Sequence, residues 1–346
     1  MHIGAYALTN NLFVAPMAGV TDRPFRQLCR RLGAGHAVSE MISSRPELRD
    51  SLKTSRRSNH EGESAPITVQ IAGTDAHLMA EAARHNIERG AAIIDINMGC
   101  PARKVCHQWA GSALMRDEPL ALAIVEAVVA ASAPHGVPVT LKMRTGWCHS
   151  ERNALRLAQR AQDAGIAMVV VHGRTREQGY TGLAEYDTVA AVKAALRIPV
   201  VANGDIDSPH KALQVLRYTG CDALMIGRAA QGRPWIFREI AHFLRHGSLA
   251  EAPATSEVRA WLLEHLQDHY ALYGEPTGVR TARKHIGWAV RALPGGEAFR
   301  AAMNTLHSSD AQVRAVSTFF DELAELHPRL PEPLAAANDE QLVLSA

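Results

Sequence analysis

Residues 168–175 read MVVVHGRT, an unbroken apolar run closed by a histidine, a glycine and an arginine. A strand with one face in water alternates apolar and polar side chains, whereas a strand covered on both faces does not. The same pattern recurs in LFVAPMA (from Leu12), HAVSEM (His36), ITVQIAG (Ile67), AIIDINMG (Ala92), PVTLKMRTG (Pro138), PVVANGDI (Pro199) and ALMIGRAA (Ala223), eight runs in all. Between them, residues 26–32, 76–88, 120–131, 152–164, 186–196 and 210–218 carry Ala, Leu and Arg at helical spacing. Thr74-Asp75 and Ser208-Pro209 stand where helix starts are expected, and Gly90, Gly165 and Gly220 where helices should stop. Eight strand–helix units predict an α/β fold, a (β/α)8 TIM barrel, over residues 1–247.

The structural rival is a doubly wound dinucleotide fold. It needs a GxGxxG turn after a strand, and the nearest stretch, Gly33-Ala34-Gly35-His36-Ala37-Val38, lacks the third glycine and precedes a strand. After Gly247 the strand pattern stops. Helical stretches at 257–273, 279–293 and 311–326 predict a small all-helical C-terminal domain over 248–330, joined by GSLAEAPATS and followed by a flexible tail at 331–346.

With 346 residues and 47% hydrophobic content, a disordered or collagenous chain is excluded. Lys+Arg 37 against Asp+Glu 35 leaves a formal charge of +2, so a nucleic-acid surface must come from local clustering. MHIGAYALTN lacks the basic-then-apolar order of a signal peptide. The longest apolar run, around 121–133, is broken by Glu126 and is too short for a bilayer. The five cysteines are scattered and contain no CxxC, which argues against a disulfide framework or a zinc ribbon. The expectation is a reduced, soluble, cytoplasmic monomer with no membrane partner and no metal.

Active sites of such barrels lie at the C-terminal ends of the strands. Those ends carry Met17 and Ala18, Glu40, Gln70, Asn97 and Cys100, Lys142 and Arg144, His172 and Arg174, Asn203-Gly204-Asp205, and Gly227-Arg228. Any one of them reads as a satisfied loop residue, but together they exceed what packing requires. Gly204 and Gly227, after strands seven and eight, allow backbone N–H groups to approach a phosphate, with Arg228 supplying charge. Lys142, between Leu141 and Met143, is a cation in an apolar run and needs an anionic partner; the N1–C2=O edge of a reduced flavin is one that fits.

Cys100 follows Asn97-Met98-Gly99 and precedes Pro101. An unperturbed thiol, with a pKa of about 8.5, is mostly protonated at neutral pH and can donate a proton. Cys29 and Cys221 read as packing residues. Cys106-His107 and Cys148-His149 imitate metal pairs, but neither has a second spaced pair. In the C-terminal region, Arg280, Lys284, Gly287 and Arg291 fall on one helix face opposite Val279, Ala282, Ile286 and Leu293, and residues 280–291 hold no acid. A basic face of this kind suits a phosphate backbone, and the lack of acidic partners favours RNA over a merely solvated surface.

Seven ordered motifs carry a resemblance: APMAGVTDRPFR (15–26), VQIAG (69–73), DINMGCPARKV (95–105), LKMRTGW (141–147), VHGRTREQGYTG (171–182), ANGDI (202–206) and MIGRAAQGRPWIF (225–237). They resemble bacterial tRNA-dihydrouridine synthases, most of all the B type, and the resemblance extends into ARKHIGW (282–288). It implies FMN at the barrel mouth and NADPH as reductant. Pro16, Met17 and Ala18 would line the flavin, Gln70 would meet its ring, and Lys142 and His172 would contact ring and chain. Asn203, Gly204, Asp205, Gly227 and Arg228 would hold the ribityl phosphate. Asn97 would position the target uracil, and Cys100 would be the proton donor. A uridine flipped from the tRNA D-loop would take hydride at C6 and a proton at C5, giving 5,6-dihydrouridine. Arg280, Arg283, Lys284 and Arg291 would grip the tRNA. Two rivals remain: an FMN barrel acting on a free pyrimidine, similar to dihydroorotate dehydrogenase, and a noncatalytic RNA-binding protein. The basic helix speaks against the first, and the set Cys100, Lys142 and His172 against the second.

Overall fold

The computed structural model describes residues 1–102, 106 and 110–331. The chain divides into two compact units, one of residues 1–230 and 234–249, the other of 231–233 and the residues from 250 on.

In the first unit the apolar runs become parallel strands. The barrel staves are β3 (Leu12–Val14), β4 (His36–Ala37) with β5 (Ile42–Ser43), β6 (Thr68–Ala72), β7 (Ile93–Met98), β8 (Val139–Arg144), β9 (Met168–His172), β10 (Val200–Asn203) and β11 (Ala223–Ile226). Neighbours pair in the order β4-β3-β11-β10-β9-β8-β7-β6-β5. The ring closes where Val38, just past β4, bridges Thr68 of β6 in parallel. All eight predicted runs contain a strand, and the fold is a parallel βα barrel. The second stave is the exception in being split. Glu40 stands in the gap between its halves and accepts a hydrogen bond from the Gly19 N–H at 2.5 Å. Arg57 Nε lies 3.2 Å from the same carboxylate. The break therefore ties the loop after the first stave to the second.

A short hairpin, β1 (His2–Ile3) and β2 (Tyr6–Ala7), precedes the barrel and is not visible in the sequence pattern, because two-residue strands show no period. Ile3 is buried with Phe13, Ile93, Met168, Val201 and Ala223, so the hairpin plugs the barrel interior. The helices begin as their cap residues dictate. The Asp75 carboxylate accepts from Leu78 N before α3 (Ala76–Glu88), and Ser208 Oγ from Lys211 N before α7 (Pro209–Thr219). Gly220 ends α7 in the left-handed conformation. Helices at Leu52–Arg57 (α2) and Ile236–His246 (α8) are additional to the expected ones.

The second unit is helical: α9 (Thr255–Tyr273), α10 (Glu275–Val290), α11 (Gly296–Met303) and α12 (Ser309–Leu326). Val258, Leu262, Leu266, Val279, Ala282, Ile286, Met303, Val316 and Phe320 bury its core. Gln312 stitches it internally: its Oε1 accepts from Tyr270 Oη at 2.8 Å, and its Nε2 donates to Val279 O at 3.2 Å. α10 starts earlier than expected, with proline in its first turn where no N–H is needed, and stops at Val290, so Leu293 lies beyond it. The expected tail is 331–346, and all of it but residue 331 lies outside the described residues. Among the described residues no helix is long and apolar enough to cross a membrane.

Candidate active site

The strand register gathers the polar strand ends. Asn97 sits beside Lys142, Arg144 beside His172, and His172 beside Asn203 on successive staves. Gln70, Asn97, Lys142, His172 and Asn203 are all buried.

A chain of hydrogen bonds runs across three of these staves. Thr140 Oγ1 donates to Asp95 Oδ1 at 2.6 Å, and Gln70 Nε2 donates to Asp95 Oδ2 at 2.7 Å. Asn97 Nδ2 donates to Gln70 Oε1 at 2.7 Å, and Asn97 Oδ1 accepts the N–H groups of Gly99 at 3.2 Å and Cys100 at 3.1 Å. The carboxylate at the centre accepts from both sides, which fixes the direction of both amides and, through them, the backbone bearing Cys100. Burial pushes the Asp95 carboxyl above its ordinary value, although Thr140, Gln70 and Lys142 favour the anion.

Cys100 is half-buried, and its carbonyl accepts from Ser112 Oγ at 2.8 Å. Burial raises its thiol pKa; the neighbouring Cys106 adds to this, while the Ala102 backbone, Arg144 and Lys142 oppose it. The group is therefore a neutral thiol, able to give a proton and poor as a nucleophile. Cys106 Sγ lies 3.6 Å from the Cys100 carbonyl and from Ser112 Oγ, while His107 lies outside the described residues. Cys29 and Cys221 are buried packing residues, as expected.

The mouth is rich in cations. Lys142 Nζ donates to Asn203 Oδ1 at 3.0 Å, and Asn203 Nδ2 donates to Met225 O at 2.8 Å. Burial, followed by repulsion from Arg144, lowers the Lys142 pKa to about 8. Burial and the nearby Lys142, Arg144, Arg174 and Arg228 push His172 far below its ordinary value, so its ring is neutral. Arg144, buried, is held by the carbonyls of Gly99 and Thr175 at 2.8 Å and Gly179 at 2.9 Å. Arg174 forms a fork with Asp205 at 2.9 and 2.6 Å, and Arg228 reaches the same carboxylate at 3.3 Å. Tyr180, exposed, lies under both Arg144 and Arg228, at 5.6 and 4.9 Å from its ring centre.

Arg144, Arg174 and Tyr180 thus belong to the site. The sequence marked the two arginines as strand-end residues without a role; Tyr180 gave no signal beyond its place in GYTG. Asp205 was expected to hold the ligand directly. Its carboxylate accepts from Arg174 and Arg228, at a positive φ of 44°. Burial tends to raise its pKa, but the hydrogen bond from Arg174 overcomes that and holds it below its ordinary value.

One glycine of this mouth is fixed by the fold, and one buried cation in it suits an anionic ligand. The chain leaves no room at Gly204: its φ is +124°, and a Cβ there would stand 2.7 Å from Ala184 Cβ and 3.1 Å from His172 Cδ2. The same approach at Gly227 would be an ordinary 3.6 Å, so only Gly204 is sterically obligatory. The buried Lys142 ammonium, meanwhile, is hydrogen-bonded to a neutral amide oxygen, which leaves its charge for an anionic ligand edge. Pro16 and Met17 are half-buried and Ala18 exposed on the turn after the first stave, where Met17 N donates to Thr21 Oγ1 at 2.8 Å.

On α10, Arg280 is exposed and Lys284 is half-buried; Arg291, exposed, is the residue just past its end. Arg283 is half-buried and donates to Leu306 O at 3.0 Å, so it braces the unit. Gly287, expected on the basic face, is buried, and a Cβ there would meet Arg300 Cδ at 3.4 Å. The same helix buries His285 beside His265 and His269 of α9, three residues that no sequence pattern singled out.

A parallel barrel whose strand ends hold buried cations, a neutral histidine and a protonated thiol defines an oxidoreductase-type βα-barrel enzyme. The family model for Dihydrouridine synthase (Dus) matches residues 13–324. The tRNA-dihydrouridine synthase B of Xanthomonas campestris pv. campestris is 57% identical over 337 residues, covering 97% of this chain and 100% of that protein. The protein of the same name from Pseudomonas aeruginosa is 58% identical over 322 residues, covering 93% and 96%. The chain belongs to the dihydrouridine synthase family. Morphinone reductase shares the fold at a TM-score of 0.51 and 14% identity, covering 73% of this chain and 90% of its own.

Proposed function

We propose that the chain reduces the C5=C6 bond of a uridine in the tRNA D-loop to 5,6-dihydrouridine, in the cytoplasm, with FMN as cofactor and NADPH as the source of electrons. One observation carries this reading: a cysteine whose thiol is kept neutral by burial has its backbone N–H held by the Asn97 carboxamide oxygen at the rim of a cation-lined mouth. Pro16, Met17, Ala18 and Gln70 would face the flavin ring, Lys142 and His172 its polar edge and chain, and Asn203, Gly204, Gly227 and Arg228 the ribityl phosphate, with Asp205 aligning the arginines. When bound, the flavin supplies the hydride that reaches C6 of the uracil.

The chain's own residues do the rest. Lys142 offers positive charge to an anionic ring edge, with its ammonium steered by Asn203. The neutral His172 ring donates or accepts a hydrogen bond without adding to the crowd of cations. Asn97, locked by Gln70, positions the base, and the Cys100 thiol gives its proton to C5. Arg280, Lys284 and Arg291 pair with tRNA phosphates, while Arg283 is held by the Leu306 carbonyl.

The test is nucleoside mass spectrometry on tRNA lacking dihydrouridine, incubated with the purified chain, FMN and NADPH. Dihydrouridine at one D-loop position is expected. Reduction of free uracil or orotate with tRNA left unchanged would overturn the reading in favour of a small-molecule reductase.

A further inference from the structure

The helical unit holds a feature that uridine reduction does not use. His265 and His269, four residues apart, share one face of α9, and His285 meets them from α10. All three are buried, and one ring nitrogen from each lies within 4.8 Å of the other two. Three atoms no further apart than that have a common point at most about 2.8 Å from each, against about 2.0–2.1 Å for a zinc–imidazole bond. Closing the difference takes a ring shift of about 0.7 Å.

The rings also cross in different planes. His265 and His285 meet edge to face, with centroids 4.7 Å apart at 88°, and His269 and His285 at 5.3 Å and 62°. Rings that meet in different planes do not stack face to face. The tautomer of His269 follows from its neighbour. Thr281 Oγ1 donates to Thr277 O at 2.8 Å, so its bond with His269 Nε2, also 2.8 Å, is one in which the imidazole is the donor. The Nδ1 atom of His269 then carries the lone pair, and it and Nε2 of His265 and His285 are shut off from solvent. A histidine whose second nitrogen is anchored in this way is the usual form of a metal ligand.

We propose that His265, His269 and His285 bind a divalent transition-metal ion, Zn²⁺ foremost, with water in the fourth position, and that the ion pins α9 to α10. Imidazole donors suit zinc, copper and nickel and discriminate against magnesium and calcium. An ion at this place stiffens α10 at the turn next to Lys284. The site acts by cross-linking helices and adds no step to the reduction.

The experiment uses the untagged full-length chain with FMN bound. The chain is stripped with a chelator, and metal uptake is measured by elemental analysis and by titration with Zn²⁺ and Co²⁺. One Zn²⁺ per chain, a higher melting temperature on its return, and visible d–d bands of nitrogen-coordinated Co²⁺ are expected. His265→Gln should abolish uptake. Thr281→Val keeps all three imidazoles but removes the anchor, and should weaken Zn²⁺ binding about 10- to 100-fold. A folded chain that takes up no Zn²⁺, or one whose uptake is the same in His265→Gln and Thr281→Val, would overturn the proposal. The latter result would place the metal on the cysteines or on His242 and His246 of α8.

Discussion

Lys142→Met separates what the mouth does for the fold from what it does for the ligand. Lys142 is 9% exposed, and its ammonium donates a hydrogen bond to Asn203. Its pKa is lowered from 10.5 to about 8, chiefly by burial. At 1.36 kcal/mol per pH unit, that difference means the charged lysine destabilises the flavin-free chain by roughly 3 kcal/mol at neutral pH. Methionine removes this penalty and fills a similar volume, but leaves Asn203 Oδ1 without its donor, at about 1–3 kcal/mol. The net expectation at pH 7 is a flavin-free variant from equal to about 2 kcal/mol more stable.

The pH dependence is sharper than the net value. Between about 8 and 10.5 the unfolded lysine holds a proton that the folded one has lost, so the parent gains stability as pH rises through that window. The variant has no such gain. Its advantage, fully present below pH 8, should therefore shrink by roughly 3 kcal/mol by pH 10.5. Urea unfolding of the flavin-free parent and variant across this range measures it, and titrating groups remote from Lys142 cancel in the comparison. Stability curves that run parallel from pH 7 to 10.5 would refute the account of Lys142 as a buried, strained cation. Flavin retention should move the opposite way, with the variant losing the cofactor on gel filtration.

Cys100→Ala should leave flavin reduction by NADPH intact while slowing uridine reduction about 10²- to 10⁴-fold, read as two separate half-reactions by stopped flow. Asp95→Asn puts an amide, which accepts at one end only, where a carboxylate accepts from Thr140 and Gln70; one buried donor is left without an acceptor, and a loss of about 1–3 kcal/mol in urea unfolding is expected. Arg280→Glu should weaken tRNA binding and flatten its dependence on salt, by about 0.9 in the slope of log K against log salt for each duplex phosphate that the arginine had neutralised. Unchanged affinity from low to high salt would assign that arginine to the solvent alone.

The barrel was legible because parallel strands buried on both faces are written as unbroken apolar runs, and each of the eight held a strand. Lys142 was legible for the same reason in reverse, as a cation set between Leu141 and Met143. The split of the second stave was not, because it depends on Glu40 finding Gly19 and Arg57 across the fold. Asp95 passed as one polar letter in AIIDINMG; its partner Thr140 is 45 residues away, and only the strand register joins them. The helical face of α10 was read from spacing alone, which could not foresee that Arg283 is drawn to Leu306 O or that Arg300 covers Gly287. The three histidines of α9 and α10 were invisible for a related reason: a pair four apart on one helix is common, and the third arrives only with the packing of another.

The one-way run of donors from Asn97 through Gln70 to Asp95 has an evolutionary consequence. Reversing any amide in it strands a proton elsewhere, so positions 70, 95, 97 and 140 cannot drift one at a time. In a large set of orthologues their substitutions should travel as a linked haplotype, with an exchange at Asp95 tolerated only alongside a compensating exchange at Gln70 or Thr140. The cysteine loop would inherit that rigidity as slow divergence, even at residues that never meet a nucleobase.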